Sequence, residues 1–330
     1  MNGHHLRIDA AVDVLLPFHN LDALLERAVH SIHEQNGVSV RIIAVDDRPD
    51  QTMRPRLPLR HRDILVSTSG GMGYSRALEV GTEYLDAPFV ALMNSDDLSL
   101  PDRLVTQVNE LQGHDICITR MLRITESGAR SNSLTRTPLS GKYDAKYLLF
   151  GAYGADATWC TTSEWWSRHV YFDDEPMWDW RVALDIFPSA SVAVVKRAQY
   201  AYRRHSRQST APRHLASPFA VIAERWQGHA SSFELPPISN DDARVLAMPW
   251  IRDASTSNPT MLALWGHALL KSVSNSEVRH DLRRILKRRF AIAATSRRLT
   301  PNMRATFLRL AGSELGFFMR DASANLFRSC

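Results

Sequence analysis

The segment VDVLLPFHNLDALLERAVHSIHEQNGVSVRIIAVDD, residues 12–47, decides the fold class of this chain. It opens with a short apolar run, Val12–Leu16, which is typical of a buried strand. Apolar residues then recur at helical spacing over Leu21–Ile32, directly after Asn20 as the predicted N-cap. A second apolar and β-branched run, Val38–Val45, predicts another strand. Strand, helix and strand in this order indicate a βαβ unit with a right-handed crossover.

The same alternation continues along the chain, which predicts an α/β fold with a mostly parallel, Rossmann-like sheet flanked by helices. We expect a first domain over residues 1–215, divided into halves near residue 120, and a basic α-helical C-terminal region over residues 216–330. The further predicted elements are strands at Ile64–Ser67, Phe89–Met93, Asp115–Thr119 and Ser191–Val195, and helices at Tyr74–Leu85 and from Pro101 to Leu111.

The composition narrows the class of protein. Of 330 residues, 44% are hydrophobic and 23% are charged, which excludes a globally disordered or fibrous chain. The three cysteines are widely separated, which excludes a zinc knuckle, a C-x-x-C redox motif and a disulfide framework, and favours a reducing compartment. We find no apolar stretch of about 18 residues and no apolar signal-peptide core, so a cytoplasmic location is expected.

The net charge of +5 is unevenly distributed. Ser239–Cys330 holds 15 Lys and Arg against 7 Asp and Glu, a net +8, so the preceding residues carry a net −3. This pattern argues against a uniformly basic nucleic-acid binder. Within Arg279–Arg298, basic residues alternate with apolar ones at helical spacing. This helix could pack on the first domain, form a homo-oligomer, or dock peripherally on the anionic inner membrane face.

Polar residues collect where the predicted strands end. In open α/β sheets, ligands bind beyond the carboxyl ends of the strands, so these residues are candidates for a binding site. Each group could also consist only of turn-forming residues. No phosphate-binding P-loop is present, and no G-x-G-x-x-G opens the first helix, which argues against dinucleotide binding. The three groups are His19 with Asn20, Asp46 with Asp47, and Asn94 to Asp97.

Four blocks of the sequence resemble, in order and spacing, the inverting family 2 glycosyltransferases of GT-A fold. The resemblance covers roughly residues 12–210 and implies transfer of a sugar from a nucleotide sugar, such as a UDP-sugar, to an acceptor hydroxyl. It makes residues 1–120 the nucleotide-sugar half of the domain and residues 121–215 the acceptor half. The blocks are VDVLLPFHN (Val12–Asn20), VRIIAVDDRPD (Val40–Asp50), GGMGYSRA (Gly70–Ala77) and FVALMNSDD (Phe89–Asp97).

The resemblance assigns a set of nucleotide-sugar contacts. Asp47 is implied as the hydrogen-bond partner of the base. Arg48 and Pro49 replace the family's usual Gly-Ser, so that turn must be built differently. The implied contacts are Pro17, Phe18, Asn20, Asp47, Gly71, Arg76, Asn94, Ser95 and Arg204.

A divalent cation is the cofactor that the resemblance implies, because the family writes D-x-D-D where this chain has Asn94, Ser95, Asp96 and Asp97. Asp96 is then the prime ligand. Mn²⁺ or Mg²⁺ suits such a site, since a hard cation completes its shell with phosphate oxygens and water. Asp97 is expected to have a structural role, capping the segment that follows.

The stretch YRRHSRQST, Tyr202–Thr210, resembles the family's closing Y-R-x-H loop. Arg203, Arg204 or Arg207 is implied as a partner of the diphosphate. His205 is implied as a metal or phosphate contact, with an ordinary surface histidine as the alternative.

Inverting transfer also needs a general base for the acceptor hydroxyl. The stretch FDDEPMWDWRVALDIFP, Phe172–Pro188, resembles the family's acidic block, with Trp178 where the family usually has Glu. Asp179 is the implied base, and burial beside two tryptophans is expected to raise its pKa. The alternative is that Asp179 only caps its helix.

Five of the eight tryptophans lie within the 22 positions from 159 to 180. Aromatic faces stack on sugar rings, so a cleft for a glycan, glycolipid or other hydroxyl acceptor is plausible, although such clusters also form ordinary core. The predicted acceptor contacts are Trp159, Trp178 and Trp180.

Two functions therefore stand open. The first is a metal-dependent glycosyltransferase of cell-envelope polysaccharide or glycolipid synthesis. The second is a non-catalytic nucleotide-sugar or glycan-binding protein, which the replacements at Ala77, Asn94 and Trp178 favour. The carboxylates kept at Asp47, Asp96 and Asp179 favour the enzyme.

Overall fold

The computed structural model describes the residues 11–52, 55–135, 141–151, 154–174, 177–205, 218–248, 254, 256–296 and 299–312. They fall into two compact units. The first contains the described parts of Met1–Tyr143 and Tyr153–Ala216, and the second those of Asp144–Ala152 and Ser217–Cys330. The short piece Asp144–Ala152, which the sequence pattern assigns to the first domain, belongs to the second unit.

The first unit is an α/β sheet with helices connecting its strands. Its strands are β1 Ala11–Phe18, β2 Ser39–Asp46, β3 Ile64–Ser67, β4 Phe89–Leu92, β5 Leu98–Ser99, β6 Ile116–Thr125, β7 Arg130–Thr135, β8 Trp159–Thr162 and β9 Val192–Arg204. Its helices are α1 Ala23–His33, α2 Tyr74–Thr82, α3 Arg103–Glu110, α4 Ser163–His169 and α5 Trp178–Ile186, with a 3₁₀ turn at Asp156–Thr158.

The strands form one mixed sheet in the order β3-β2-β1-β4-β8-β6-β9-β5, with β7 paired to β6. The first four strands are parallel, as the sequence predicts. Beyond them β8 runs antiparallel to both β4 and β6, and β5 runs antiparallel to β9. The expectation of a mostly parallel sheet therefore holds for the first half of the unit, and the second half is mixed.

Helix α1 shows how local sequence builds this layer. The N-cap is Asp22 rather than the predicted Asn20, because the Asp22 carboxylate accepts hydrogen bonds from the amides of Leu24 and Leu25 at 2.9 and 3.2 Å. The apolar face of the helix is buried, with Val29 and Ile32 at 0% and 1% exposure. Each such side chain contributes about 1.5–3 kcal/mol through its burial.

The antiparallel strand β8 is the feature that shapes the site. Its pairing with β4 sets Phe89 opposite Thr162 and Ala91 opposite Cys160. The strand therefore begins, at Trp159, beside the carboxyl end of β4. As a consequence, the 3₁₀ turn at Asp156–Thr158 lies at the same sheet edge as the polar residues that follow β4.

A buried arginine ties these two pieces together. Arg103 is 1% exposed, and its Nη2 donates to the carbonyl oxygens of Leu92, at the end of β4, and Ala157, in the 3₁₀ turn, at 2.9 and 2.7 Å. Its guanidinium also lies 4.9 Å from the centre of the Tyr200 ring. Burial lowers the pKa of Arg103, yet hydrogen bonds and the aromatic face keep the cation in place.

The second unit is helical, as the sequence predicts. Trp226 and Trp265 stack in its core with ring centres 5.7 Å apart, and the Trp226 indole donates to the Leu149 carbonyl oxygen at 2.9 Å. Its elements are a 3₁₀ helix Ala145–Phe150 and the helices α6 Pro218–Ser231, α7 Asn240–Ala247, α8 Pro259–Lys271, α9 Ser276–Ala293 and α10 Pro301–Gly312.

The basic stretch forms α9, with its apolar residues on one face as predicted. Leu282, Leu286 and Phe290 are each 0% exposed, and Phe290 packs against Phe307 of α10. Because this apolar face is already covered within the unit, it is not free to enter a bilayer, and only the cationic face is left for any docking. Among the described residues, no helix is both long and apolar enough to cross a membrane.

We predict that Arg103→Leu lowers the free energy of unfolding by about 3 kcal/mol, because it strands two buried carbonyl oxygens and the Gln107 side chain. Chemical denaturation followed by circular dichroism measures this loss. The control Arg168→Leu removes an exposed cation that pairs only with Glu164, and should change the unfolding free energy by under 0.5 kcal/mol. Equal losses of unfolding free energy in the two variants would contradict a stabilising role for the Arg103 hydrogen bonds.

Candidate active site

The carboxyl ends of β1, β2 and β4 bring the predicted binding residues to one edge of the sheet. Phe18 lies opposite Asp46, and Leu15 lies opposite both Ile43 and Leu92. The side chains that follow each strand are therefore neighbours, as the sequence pattern predicts. Pro17 and Phe18 are themselves buried in the core, so their side chains are covered, whereas His19 and Asn20 are exposed.

Asp47 organises the glycine-rich loop that follows β3. Its carboxylate accepts hydrogen bonds from the Thr68 hydroxyl at 2.6 Å and from the amides of Met72 and Gly73 at 2.8 Å each. The side chain is buried by these donors. The Asp47 carboxylate therefore holds the loop, and its Oδ2, which accepts only the Gly73 amide among the described residues, keeps capacity for a further hydrogen-bond donor.

The loop itself requires glycine. Gly70 has φ +90°, and a Cβ there would lie 3.1 Å from the Arg48 carbonyl oxygen. Gly71, also left-handed at φ +66°, donates its amide to the Asp47 carbonyl oxygen at 3.0 Å. Because glycine has no side chain, the face of this loop beside the end of β2 is exposed.

Arg48 explains how the turn after β2 is built without the family's Gly-Ser. Its guanidinium folds back onto Asp46 as a fork, with Nε–Oδ1 and Nη2–Oδ2 distances of 2.8 and 2.7 Å. The hydrogen bond from Asp46 raises the pKa of Arg48. The buried Asp46 carboxylate is therefore neutralised by a neighbour two residues away.

The predicted metal ligands meet in space. Asp96 Oδ2 lies 2.9 Å from His205 Nε2, with side-chain exposures of 27% and 7%. His205 comes from the end of β9, 109 residues further along the chain. Among the described residues, no group of three or more His, Cys, Asp or Glu side chains is arranged to hold a metal. Asp96 and His205 are thus two potential metal ligands, and Asn94 and Ser95 directly precede Asp96 in the chain.

Asp97 has the structural role expected of it, but with different partners. It is 0% exposed and accepts hydrogen bonds from the Tyr200 hydroxyl at 2.8 Å, the Arg203 amide at 2.7 Å and the Asn94 amide group at 3.2 Å. Burial and the charge of Asp96 raise the pKa of Asp97 to about 8. Asp97 therefore ties the turn after β4 to strand β9, rather than capping a helix.

The arginines of the closing loop divide into two kinds. Arg203 points inward at 1% exposure, and its guanidinium donates to the carbonyl oxygens of Asp96 and Glu126 at 2.8 and 2.9 Å. It is therefore a structural residue and not a partner of the diphosphate. Arg204 is exposed, which leaves it available for an anion. Arg207 lies outside the described residues.

Arg76 forms an ion-pair network near the start of α2. Its Nε contacts Asp174 Oδ1 at 2.6 Å, and its Nη1 contacts Glu79 Oε2 at 2.7 Å. The hydrogen bond from Asp174 is the largest contribution that raises the pKa of Arg76. The cation therefore pins the acidic loop before α5 to α2, and a diphosphate would have to compete with two carboxylates for it.

The predicted base, Asp179, is half-buried in the first turn of α5, two residues after the N-cap Met177. It is therefore not the N-cap itself. Three contacts fix this turn: Arg181 forms a bidentate ion pair with Asp173, the Asp173 amide donates to Ser75 Oγ at 3.2 Å, and the Trp178 indole donates to the Tyr171 carbonyl oxygen at 2.6 Å.

Two residues that sequence reasoning missed lie beside Asp179. Asp156, in the 3₁₀ turn, is 7% exposed. Burial and the charge of Asp179 raise the pKa of Asp156 to about 7. Burial is the largest cause that raises the pKa of Tyr74, with smaller contributions from the charges of Asp156, Asp179 and Asp97. The Tyr74 phenol therefore lies near these acids.

No local pattern marks Asp156, because it stands alone in an irregular stretch, A-D-A-T. Only the antiparallel insertion of β8 brings it to the active edge. Tyr74 is visible as the first residue of α2, but Asp156, Trp178 and Asp179 are 82 or more residues away from it along the chain, so its role follows from tertiary structure.

The tryptophans predicted to stack on the acceptor are buried instead. Trp159, Trp178 and Trp180 are 1%, 4% and 1% exposed. Trp178 stacks on Phe172 with ring centres 5.6 Å apart, and Trp159 packs against Phe187 at 5.1 Å. Because their faces are covered by other rings, these residues form the wall behind the site. The exposed aromatic ring here is Tyr74, at 38%.

The polar residues at the carboxyl ends of β1, β2 and β4, with the Asp96–His205 pair, form the candidate active site. The chain belongs to glycosyl transferase family 2, because the sequence model of the family described as "Glycosyl transferase family 2" matches residues 13–181. It has the GT-A-like fold expected from its sequence.

Known proteins support the same assignment. Over 121 residues the chain is 27% identical to the amylovoran biosynthesis glycosyltransferase AmsE of Erwinia amylovora, a segment that is 35% of this chain and 46% of AmsE. The match thus spans about half of that relative. The crystal structure of S. aureus TarS 1–349 matches with a TM-score of 0.53 and 13% identity over 97% of this chain and 92% of that one. The complex of TarS 1–349 with UDP-GlcNAc also matches at 0.53 and 13%, over 93% and 88%. These structural matches show the fold.

We predict that Asp156→Asn stabilises the protein increasingly as the pH rises. The folded pKa of Asp156 is raised to about 7 from 3.8, so the wild type loses stability between about pH 4 and pH 7 as the unfolded chain ionises first. The neutral variant avoids this loss, which at its limit is roughly 4 kcal/mol. Denaturant unfolding at pH 4, 6 and 8 measures the difference.

The matched control is Asp185→Asn, which neutralises an exposed acid on α5 that accepts the Tyr171 hydroxyl at 2.6 Å. Its effect on the unfolding free energy should be the same at all three pH values. A constant Asp156→Asn difference would contradict the raised pKa.

Proposed function

We propose that this glycosyltransferase is metal-dependent and inverting, and that it moves a sugar from a nucleotide sugar, with UDP as the nucleotide, to an acceptor hydroxyl. The observation that carries the proposal is the convergence of two acidic stations on one sheet edge. The first is the Asp96–His205 pair after β4. The second is Asp179 at the start of α5, which the contact between Trp178 and Trp159 and the hydrogen bond from the Asp173 amide to Ser75 hold beside the 3₁₀ turn and α2.

The chemistry assigned to this chain's residues is general-base catalysis. As the acceptor oxygen bonds to C1 of the sugar, its proton passes to the Asp179 carboxylate. The bond between C1 and the phosphate oxygen breaks, and its electron pair leaves with the nucleoside diphosphate. Attack from the face opposite the leaving group inverts the configuration at C1. The half-buried position of Asp179 admits an acceptor while limiting water.

The residues present fit a divalent cation. The Asp96 carboxylate is the more exposed of the two neighbouring acids, whereas Asp97 is fully used by three protein donors. Asp96 and His205 would hold Mn²⁺ or Mg²⁺, with the remaining ligands coming from water and diphosphate oxygens. When bound, such a cation offsets the negative charge that develops on the departing diphosphate. The Asp96–His205 hydrogen bond holds these two side chains together.

The donor and the biological setting are inferred from the comparisons with known proteins. TarS structures with UDP and with UDP-GlcNAc share the fold over most of this chain, which supports a UDP-sugar as donor. AmsE is named for the biosynthesis of amylovoran, which supports a role in cell-envelope polysaccharide or glycolipid synthesis. Docking on the inner membrane face and homo-oligomer formation through the C-terminal helices stay predictions.

The acceptor contact is reassigned. The buried tryptophans shape the wall, and the exposed ring of Tyr74 is the aromatic face that a sugar can meet beside Asp179. The nucleotide-sugar contacts that stay exposed or half-exposed are Asn20, Gly71, Arg76, Asn94, Ser95 and Arg204.

We predict that Asp179→Asn lowers kcat by 10²- to 10⁴-fold, because the amide cannot accept the acceptor proton. UDP release from UDP-GlcNAc, UDP-GalNAc, UDP-glucose and UDP-galactose, without and with simple sugar acceptors, measures the rate. The affinity for UDP should change less than two-fold, which calorimetry checks. Asp185→Asn on the same helix is the control and should keep wild-type kcat. Wild-type turnover by Asp179→Asn would remove Asp179 as the base.

We predict that UDP binding is strengthened by Mn²⁺ through Asp96. Titration calorimetry with and without Mn²⁺ should show at least a ten-fold gain in affinity for the wild type, about 1.4 kcal/mol. Asp96→Ala should lose this gain, while Glu110→Ala, which removes an exposed acid on α3, should keep it. Equal UDP affinity with Mn²⁺ and with chelator in the wild type would refute metal dependence.

A further inference from the structure

One buried phenol on β9 holds the turn that carries Asp96. The Tyr200 hydroxyl donates a hydrogen bond to Asp97 Oδ2 at 2.8 Å and accepts one from the Asn94 amide at 3.2 Å. It therefore joins the two ends of the turn Asn94–Asp97. Tyr200 is 0% exposed, so it acts only through its neighbours, and it stands outside every motif that the sequence marks.

We propose that Tyr200 is a positioning residue for the cation site: its hydroxyl fixes the turn Asn94–Asp97 against β9, so that Asp96 and His205 meet as a ligand pair. The inference rests on the proposed function, because that function assigns a divalent cation to these two residues. It deepens that function by naming the side chain that brings together two ligands 109 positions apart in the chain.

Strand β9 links Tyr200 to both ligands. His205 directly follows the strand, which ends at Arg204. Tyr200 lies opposite Ser99 of β5, and the Leu100 amide donates to the carbonyl oxygen next to Tyr200 in the chain, that of Gln199, at 3.0 Å. Backbone pairing therefore fixes the chain after the turn Asn94–Asp97, and the Tyr200 hydroxyl fixes the turn itself.

Arg203 reinforces this arrangement from the same strand. Its backbone amide donates to Asp97 Oδ1 at 2.7 Å, and its Nε donates to the Asp96 carbonyl oxygen at 2.8 Å. Each oxygen of the Asp97 carboxylate thus receives a donor from β9, and the backbone of Asp96 receives another. None of these bonds uses the Asp96 carboxylate, so the network sets the position of this ligand without occupying its oxygens.

The separation that results is the one that a cation requires. Asp96 Oδ2 and His205 Nε2 lie 2.9 Å apart. Two ligands at right angles on an octahedral cation, each about 2.1 Å from it, lie about 3.0 Å apart. A network that holds the pair at this spacing reduces the ordering that cation binding must bring about. Loss of such outer partners lowers metal affinity by about 10- to 100-fold in other metal sites.

The variant Tyr200→Phe removes the hydroxyl and keeps the ring, together with the Arg103 guanidinium that lies 4.9 Å from the ring centre. Calorimetric titrations of UDP at a series of Mn²⁺ concentrations give the concentration at which the gain in UDP affinity is half-maximal. We expect this concentration to rise about ten-fold in Tyr200→Phe. The affinity for UDP in chelator should stay within two-fold of wild type, because the loops after β1, β2 and β3 are unaltered.

Tyr147→Phe is the matched control. It removes another phenol hydroxyl of 0% exposure, which donates to Asp281 Oδ2 at 3.2 Å in the helical unit. Both variants lose a hydrogen bond between a buried phenol and a carboxylate, so both should lower the unfolding temperature followed by circular dichroism. Only Tyr200→Phe should change the half-maximal Mn²⁺ concentration, and this difference separates positioning from stability.

A second variant tests the same network at another residue. Arg203→Lys keeps the positive charge and the backbone amide that serves Asp97, but lysine has no donor at the Nε position that serves the Asp96 carbonyl oxygen. The half-maximal Mn²⁺ concentration should rise at least three-fold. If Tyr200→Phe does not fold, which circular dichroism detects, Arg203→Lys decides by the same criterion.

The outcomes separate this role from the proposed function. A rise in Tyr200→Phe with the wild-type value in Tyr147→Phe supports the positioning role. The wild-type value in a folded Tyr200→Phe, or an equal rise in both variants, overturns that role and leaves metal dependence intact. If the wild type binds UDP equally with Mn²⁺ and with chelator, the proposed metal dependence fails, and the role of Tyr200 fails with it.

Discussion

The active edge of this protein depends on the hydrogen bonds of one buried cation. The Nη2 of Arg103 joins the end of β4, through the Leu92 carbonyl oxygen, to the 3₁₀ turn before β8, through the Ala157 carbonyl oxygen. Gln107, one helical turn later, reaches the carbonyl oxygens of Cys117 and Thr158 in the same way. Helix α3 thereby fixes the antiparallel strand β8 beside β4. Without β8, β4 would be an edge strand of the parallel half of the sheet. The turn after β4 and the turn that carries Asp156 are thereby held to a common frame.

The acids at this edge differ in which protein groups compensate their negative charge, and this difference indicates the role of each acid. Asp46 has the Arg48 fork and Asp47 has three loop donors, so both shape the backbone. Asp97 serves strand β9. Asp96 has a histidine and is partly exposed, and Asp156 faces a second carboxylate. Where compensation by the protein is incomplete, a cation, a proton or a substrate can supply the rest, which is why the metal chemistry is assigned to Asp96.

The aromatic residues around the start of α5 stabilise the structure of the site by packing against one another. The tryptophans around the start of α5 are buried against one another and against Phe172 and Phe187, so they resist the repulsion between two neighbouring carboxyl groups. In the helical unit, the same principle applies to α9, whose apolar stripe is consumed by packing within the unit. In both places a pattern that resembles a binding surface in the sequence is part of the interior. Composition alone cannot separate the two, because aromatic and amphipathic stripes serve core and interface equally well.

The sequence by itself determined the parallel half of the sheet, the helical C-terminal region, and the meeting of His19, Asp47 and Asp96 at one edge, because strand and helix periods are local and parallel strands end together. It also carried the likeness from which Asp179 is predicted as the base. Tertiary structure alone decided that β8 runs antiparallel into the sheet, that Arg203 and the tryptophans point inward, and that Asp156 and Tyr74 lie near Asp179. These facts follow from contacts between residues tens to more than a hundred positions apart, and no local pattern encodes which distant partner satisfies a buried charge or covers an aromatic face.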